Sequence, residues 1–330
     1  MTGDWKRFYI SPHGNRVVPI GRPVSSTCGR FMKEKLTTLS DAIRRIPSGS
    51  RVALGGNIMR RQANAAVREI IRQSIGELTV YAFATSLSVD MLAAAGLLRR
   101  YEGVYVGLFW HGLAPSFRRA AEAGEVEVRD FSESSIVARF QAACSGLSFM
   151  PVKAILGTDM AAQDPAIVTE VTCPFTNELY AAVRAIDAEF TIIHGYQADR
   201  FGNVQWPLAR DADDVDQIIA RGSRRLIVTV EKIVGHDEIM RQPNLTYIPS
   251  QWVEAVVETP FGAHPLACDT VHDEDEEHIR LYAQAGATPD GAKAYLDEYV
   301  RHAPTHDDYL ARFGGLAALR RRLSVSRGAA

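Results

Sequence analysis

Paired glycines close an apolar stretch in Arg51-Val-Ala-Leu-Gly-Gly-Asn-Ile-Met-Arg-Arg61, and a helical segment follows from Ala63. A strand that ends in a glycine turn and leads into a helix aims backbone N–H groups at an anionic ligand. The stretch lacks G-x-G-x-x-G and G-K-[ST], so it is neither a dinucleotide fingerprint nor a P-loop. By itself it implies only that something negatively charged binds there.

Other reactive side chains also follow strand-like runs. Glu133, in Phe131-Ser-Glu-Ser-Ser135, precedes a helical segment, and Glu231 ends an apolar run at 226–230. Each carboxylate is a general base, a nucleophile or a helix-capping partner, and position alone favours capping at Glu133. His194 closes Ile192-Ile-His-Gly195, where open α/β sheets bind ligands, though a hydrogen-bonded structural histidine is the commoner occupant. Ser86 and Ser88 follow a strand without a G-x-S-x-G elbow. The run His272-Asp-Glu-Asp-Glu-Glu-His278 reads as a solvated helix start rather than a metal site. Pro304 separates His302 from His306 and spoils a shared helix face. Cys28, Cys144, Cys173 and Cys268 show no C-x-x-C pairing, which suits free thiols in a reducing compartment.

The elements that must position these groups alternate. Strands are expected at 51–54, 78–83, 101–108, 125–131, 191–194, 226–230 and 253–257, with helices at 41–46, 63–73, 89–95, 117–123, 134–144 and 213–220. Helical runs between short apolar strands imply an open, mostly parallel, doubly wound α/β sheet with helices on both faces. Segments at 279–286, 292–302, 307–313 and 316–323 read as helices wrapping the sheet. Residues 1–31 lack periodicity and read as an irregular N-terminal extension, with 32–330 as the α/β domain; Met32 is an alternative start.

The chain has 330 residues, 46% hydrophobic and 23% charged, enough for a sizeable core. A net charge of −2 gives no reason to expect a nucleic-acid or membrane partner. No apolar run is long enough to span a bilayer and the N-terminus lacks a signal-peptide core, so the expected location is cytoplasmic.

Several segments recur in the same order in one family. Gly55-Gly56 with Arg61, Ala121-Glu-Ala-Gly124, Gly146-Leu-Ser-Phe-Met-Pro151 and Asp199-Arg-Phe-Gly-Asn203 resemble the A subunits of family I CoA-transferases, most closely those of the glutaconate type. Val228-Thr-Val-Glu-Lys-Ile-Val234, Phe261-Gly-Ala-His-Pro-Leu-Ala-Cys268 and Thr305-His-Asp-Asp-Tyr309 continue the likeness.

The resemblance implies an A–B heteromer, A2B2 or larger, with its active site between the subunits. It implies a coenzyme A thioester as substrate, a carboxylic acid as acceptor, no tightly bound cofactor and no metal. The nucleophilic glutamate of such transferases belongs to the B subunit. This chain would supply a pocket wall: Gly55, Gly56 and Asn57 would offer N–H groups to a carboxylate or oxyanion, and Ser86, His111 and Gly112 would line the same pocket. Arg61 would pair with a carboxylate or bridge its helix to a neighbour. Two positions depart from the pattern: Ala63 stands where proline is common, and Glu133 where the glutaconate type has glutamine. Related A subunits that open a steroid ring on a CoA thioester carry glutamate there. The alternatives are thus a CoA-thioester hydrolase with Glu133 as its catalytic carboxylate, and a non-catalytic scaffold. The loop Phe109-Trp-His111 hints at an aromatic-lined pocket.

Overall fold

Alternation along each strand divides the core into two layers. In β1 (Arg51–Leu54), Val52 and Leu54 join one apolar cluster and Ala53 the other. In β2 (Leu78–Ala82), Val80 and Tyr81 separate in the same way. The computed structural model describes residues 33–209 and 215–325. The expected extension at 1–31 and the start of the helix expected at 213 lie outside the described residues.

With β3 (Leu98–Gly103), β4 (Glu127–Asp130), β5 (Phe190–Ala198), β6 (Leu226–Ile233) and β7 (Val253–Glu258), these strands form one parallel array. Their spatial order is β7-β6-β5-β1-β2-β3-β4. The chain winds outward from β1 in one direction, then returns beside β1 to wind the other way. That reversal opens a crevice beyond the carboxyl ends of β1 and β5, where ligands of open α/β sheets bind.

One layer carries the helices Leu39–Ile43, Asn64–Arg72 and Leu87–Ala94, and the C-terminal helices Glu276–Ala285 and Pro289–Leu296 wrap it through Ile279, Tyr282 and Tyr295. The other layer differs from a plain helical cover. Helices Glu133–Cys144 and Asp216–Arg221 share it with an antiparallel sheet of Phe149–Val152, Val168–Thr172 and Leu179–Arg184. These strands are half exposed and carry no clean period, so the sequence leaves them unassigned. The strand expected at 101–108 begins instead at Leu98 and ends at Gly103. Leu98 and Tyr101 are its buried anchors, and the intervening arginines mask the apolar signal. No helix among the described residues is long and apolar enough to cross a membrane.

Candidate active site

The loop after β1 holds itself together with the donors expected to face a ligand. The N–H of Gly55 donates to Ile192 O at 2.9 Å, that of Asn57 to Arg60 O at 2.9 Å, and that of Ile58 to Ala84 O at 2.8 Å. The Gly56 N–H donates to Asp216 Oδ1 at 2.8 Å. An anion is therefore present at the glycine turn, and it is the chain's own carboxylate.

The helix Asn64–Arg72 is closed in the same way. Ala63, its N-cap, offers no side-chain acceptor, and the Ala65 N–H donates to Gly262 O at 2.8 Å. The Asn64 amide donates to Ala263 O at 2.8 Å. Backbone from the segment after β7 thus covers the helix terminus that the sequence suggests for an anion.

Arg61 is fully buried at φ +52°. It ion-pairs with Asp216 through Nη1, and its Nε lies 3.7 Å from Asp269 Oδ2. Of the two roles left open by the sequence, the structure displays the internal bridge. Sequence reasoning misses Asp216 and Asp269 because nothing local marks them.

Ser86 is buried and does not present its hydroxyl to the surface; Oγ donates to Ile58 O at 2.8 Å. Next to it, Ser88 Oγ donates to Gln62 Oε1 at 2.7 Å, tying the loop to the helix Leu87–Ala94. Ile58, Arg61, Phe109, Phe261 and Thr270 all have positive φ. A β-branched residue such as Ile58 rarely adopts that conformation, and strain of this kind collects at functional sites.

Asn57, Met59 and Arg60 meet Phe109, Trp110, Asp269 and Glu274 around a cavity of about 520 Å3. Phe109 and Trp110 are exposed in the 3-10 turn Phe109–His111, whose last residue and Gly112 (φ +99°) complete the loop beside the cavity. Burial pushes the Glu274 carboxyl above its ordinary value, against a smaller lowering by the Trp110 side chain. Sequence alone makes it part of a solvated run.

That run is a helix start, as expected: Asp275 caps Glu276–Ala285 and two glutamates occupy its first turn. It is not solvated throughout: His272, Asp275 and His278 are buried, with His272 stacked on Phe261 and His278 packed against Tyr295, Tyr299 and Phe313.

A second cavity, about 600 Å3, lies at the ends of β5 and β6, lined by Tyr196, Gln205, Trp206, Glu231, Phe261 and Arg320 among others. Glu231 Oε1 lies 2.9 Å from His194 Nε2, and Oε2 accepts from the Phe261 N–H at 2.8 Å. Burial works to raise its pKa, but the neighbouring His194 and His272 prevail and hold it well below the usual carboxylate range.

Glu133 stands apart from both cavities. It is the first residue of the helix Glu133–Cys144 and is exposed, at the carboxyl end of β4. Its expected capping role belongs to Ser132, whose Oγ accepts from the Ser135 N–H at 3.2 Å. The structure brings Asn57, Arg60 and the Phe109–His111 turn together, while Glu133 lies along the same rim of strand ends.

The comparisons with known proteins agree with this architecture. Residues 36–259 match the Coenzyme A transferase family profile. The A subunit of glutaconate CoA-transferase from Acidaminococcus fermentans is 33% identical over 299 residues, covering 85% of this chain and 92% of that one. The crystal structure of that organism's enzyme superposes with a TM-score of 0.84 at 32% identity, over 89% of this chain and 96% of the other. The cholesterol ring-cleaving hydrolase IpdA subunit of Rhodococcus jostii is 27% identical over 291 residues, 84% of this chain and 95% of its own. An uncharacterized protein of Archaeoglobus fulgidus is 35% identical over 292 residues, 87% of this chain; the chain spans 64% of that protein's length. The family profile spans all seven parallel strands, and the structural counterpart among A-type subunits is matched over nearly its full length. One assignment follows: the chain belongs to the coenzyme A transferase family, as a subunit of the A type.

Proposed function

We propose that this chain is the A subunit of an A–B heteromer, A2B2 or larger, that moves coenzyme A between carboxylic acids. The partner's glutamate attacks the acyl-CoA thioester, giving an acyl anhydride and coenzyme A thiolate. The thiolate then attacks the glutamyl carbonyl, which releases the first acid and leaves a glutamyl-CoA thioester for the acceptor carboxylate. A carboxylate nucleophile divides one hard exchange into easier steps. The observation that carries this reading is the commitment of the carboxylates beside the glycine turn and the second cavity. Asp216 is held by Gly56 and Arg61, Asp269 lies against Arg60 and Arg61, and Glu231 is held by His194 and Phe261. Burial raises the Glu274 carboxyl above its ordinary value. An attacking carboxylate supplied by the partner fits that distribution, with Asn57, Ser86, His111, Gly112 and the Gly55–Gly56 turn shaping this chain's side of the pocket.

The same reading puts the enzyme in the cytoplasm, with acyl-CoA and a free acid as substrates. A second reading has one observation in its favour: Glu133 is exposed at a strand end, free of a capping role, and could activate water for thioester hydrolysis. The test is mass spectrometry of the A–B complex after incubation with acyl-CoA and no acceptor, followed by borohydride reduction. A partner glutamate reduced to the alcohol establishes transfer. Free coenzyme A released from an unmodified complex establishes hydrolysis instead.

A further inference from the structure

Strands β5 and β6 and the segment after β7 bring four metal-ligating side chains to one buried point that the transfer reaction does not use. His194 Nε2 lies 2.9 Å, and His272 Nε2 3.3 Å, from the same oxygen, Glu231 Oε1. Ligand atoms of His194, Glu231 and Cys268 all lie within 4.8 Å of one another. His194, His272 and Cys268 are fully buried, and Glu231 is 7% exposed.

The hydrogen positions turn the nitrogen lone pairs inward. The Asp273 carbonyl, 3.1 Å from His272 Nδ1, can only accept, so Nδ1 carries the hydrogen. In a neutral ring Nε2 is then an acceptor; it has no hydrogen-bond partner and faces a carboxylate oxygen. His194 Nδ1 lies 2.9 Å from Thr229 Oγ1, whose own hydroxyl reaches Ile193 O at 3.3 Å. With that hydroxyl directed at Ile193, His194 donates from Nδ1 and its Nε2 also becomes an acceptor pointing at Glu231. Facing acceptors in a buried site call for a cation. Imidazoles that donate outward from one nitrogen and turn the other inward are arranged as metal ligands are.

We propose that His194, Glu231, Cys268 and His272 bind one divalent metal ion of the zinc class. Imidazole nitrogen, carboxylate oxygen and thiolate sulfur are the donors zinc takes, and four protein donors make a closed, structural site. Binding forms the metal–sulfur bond as the Cys268 thiol proton leaves to solvent and the ion sheds its waters, with no change of oxidation state. Thiolate and carboxylate then balance the dication, so no net charge is buried. The surroundings are built around the cluster. Phe261 holds the second Glu231 oxygen at 2.8 Å, and a Cβ on Gly262 would lie 2.5 Å from His194 Cε1. The ion would pin the segment 259–272 to β5 and β6.

The test uses the full-length chain, stripped with chelator and titrated with Co2+ and Zn2+. The expected result is one Co2+ per chain with a thiolate-to-cobalt charge-transfer band, displaced by Zn2+ and lost in Cys268→Ser. Thr229→Val leaves all four donors in place and removes only an outer partner, so it weakens metal affinity about 10- to 100-fold. No band in the folded wild-type chain overturns the proposal. So does a band that survives Cys268→Ser, because Cys28, Cys144 or Cys173 would then be the ligand, or a Thr229→Val affinity equal to wild type.

Discussion

Asp216 reaches back across the sheet to accept the Gly56 N–H at 2.8 Å, and its other oxygen ion-pairs with Arg61. Arg61 and Asp216 are 0% and 1% exposed, so neither charge has water to fall back on. Removing one partner from a buried pair strands the other, whereas replacing both with apolar residues of similar size is often tolerated. Asp216→Ala should therefore destabilise the chain by about 3 kcal/mol, the low end of the usual range because Asp269 stays near Arg61. The double variant Arg61→Met/Asp216→Leu should cost less than the two single changes summed. Urea unfolding checks both; additive losses would mean that the pair is not coupled.

Gly56 has a steric reason to be glycine that Gly112 lacks. Both have positive φ, +88° and +99°. A Cβ on Gly56 would lie 2.8 Å from backbone atoms of Arg60 and Arg61, while one on Gly112 would meet nothing within 4 Å. With ψ −165°, Gly112 sits in an extended positive-φ region that is essentially reserved for glycine, so Gly112→Ala costs about 2 kcal/mol in backbone strain alone. Gly56→Ala adds a collision with main chain and should cost about 3 kcal/mol, by the usual range for overpacking. Thermal melts of the two variants should differ in that order. Equal losses would show that the loop relaxes around the new methyl group.

The part of this site that the sequence reveals is the part whose partners are local. Val52 to Leu54, the Gly55–Gly56 turn and the helix after it stand within one short window, and all three are where the pattern predicts. An anion does sit at the turn, but it is the carboxylate of Asp216 rather than a ligand. Its source is not legible: Asp216 is 160 positions from Gly56, in a helix whose surroundings look like any polar loop. The acidic run 272–278 fails for the same reason. Its helix cap is visible from spacing, but its burial depends on Tyr295, Tyr299 and Phe313, which arrive from later helices.

Those aromatic helices enclose histidines whose titration sets the acid limit of the fold. Burial pushes His264 down to about 4 and both His278 and His306 down to about 3. In the unfolded chain each takes up a proton near pH 6.5, while in the folded chain it stays neutral. The unfolded state thus binds more protons as pH falls from about 6.5 towards 4, and stability declines over that window. Each histidine contributes a slope of up to about 1.4 kcal/mol per pH unit. The lowered Asp275 adds to the loss below the ordinary carboxylate range, while the raised Asp90 opposes it. Urea midpoints measured between pH 7 and 4.5 should fall steadily, and His278→Gln should flatten the decline. A flat profile in the wild-type chain would place these rings in contact with water.

Glu133 separates the two catalytic readings without endangering the fold. Its side chain is exposed, and the helix it begins is capped by Ser132. Loss of its charge from the first turn costs at most a few tenths of a kcal/mol through the helix dipole. Glu133→Gln should therefore melt with the wild type, and any change in turnover can be assigned to chemistry. If the partner's glutamate is the nucleophile, the variant still forms the glutamyl-CoA thioester, and transfer falls less than about 10-fold. If Glu133 activates water, its general-base contribution of about 100- to 10,000-fold is lost, and free coenzyme A release collapses with it. Steady-state release of coenzyme A, measured with and without an acceptor acid on the same A–B complex, distinguishes these outcomes. A fall confined to the acceptor-dependent rate would instead assign Glu133 to acceptor binding.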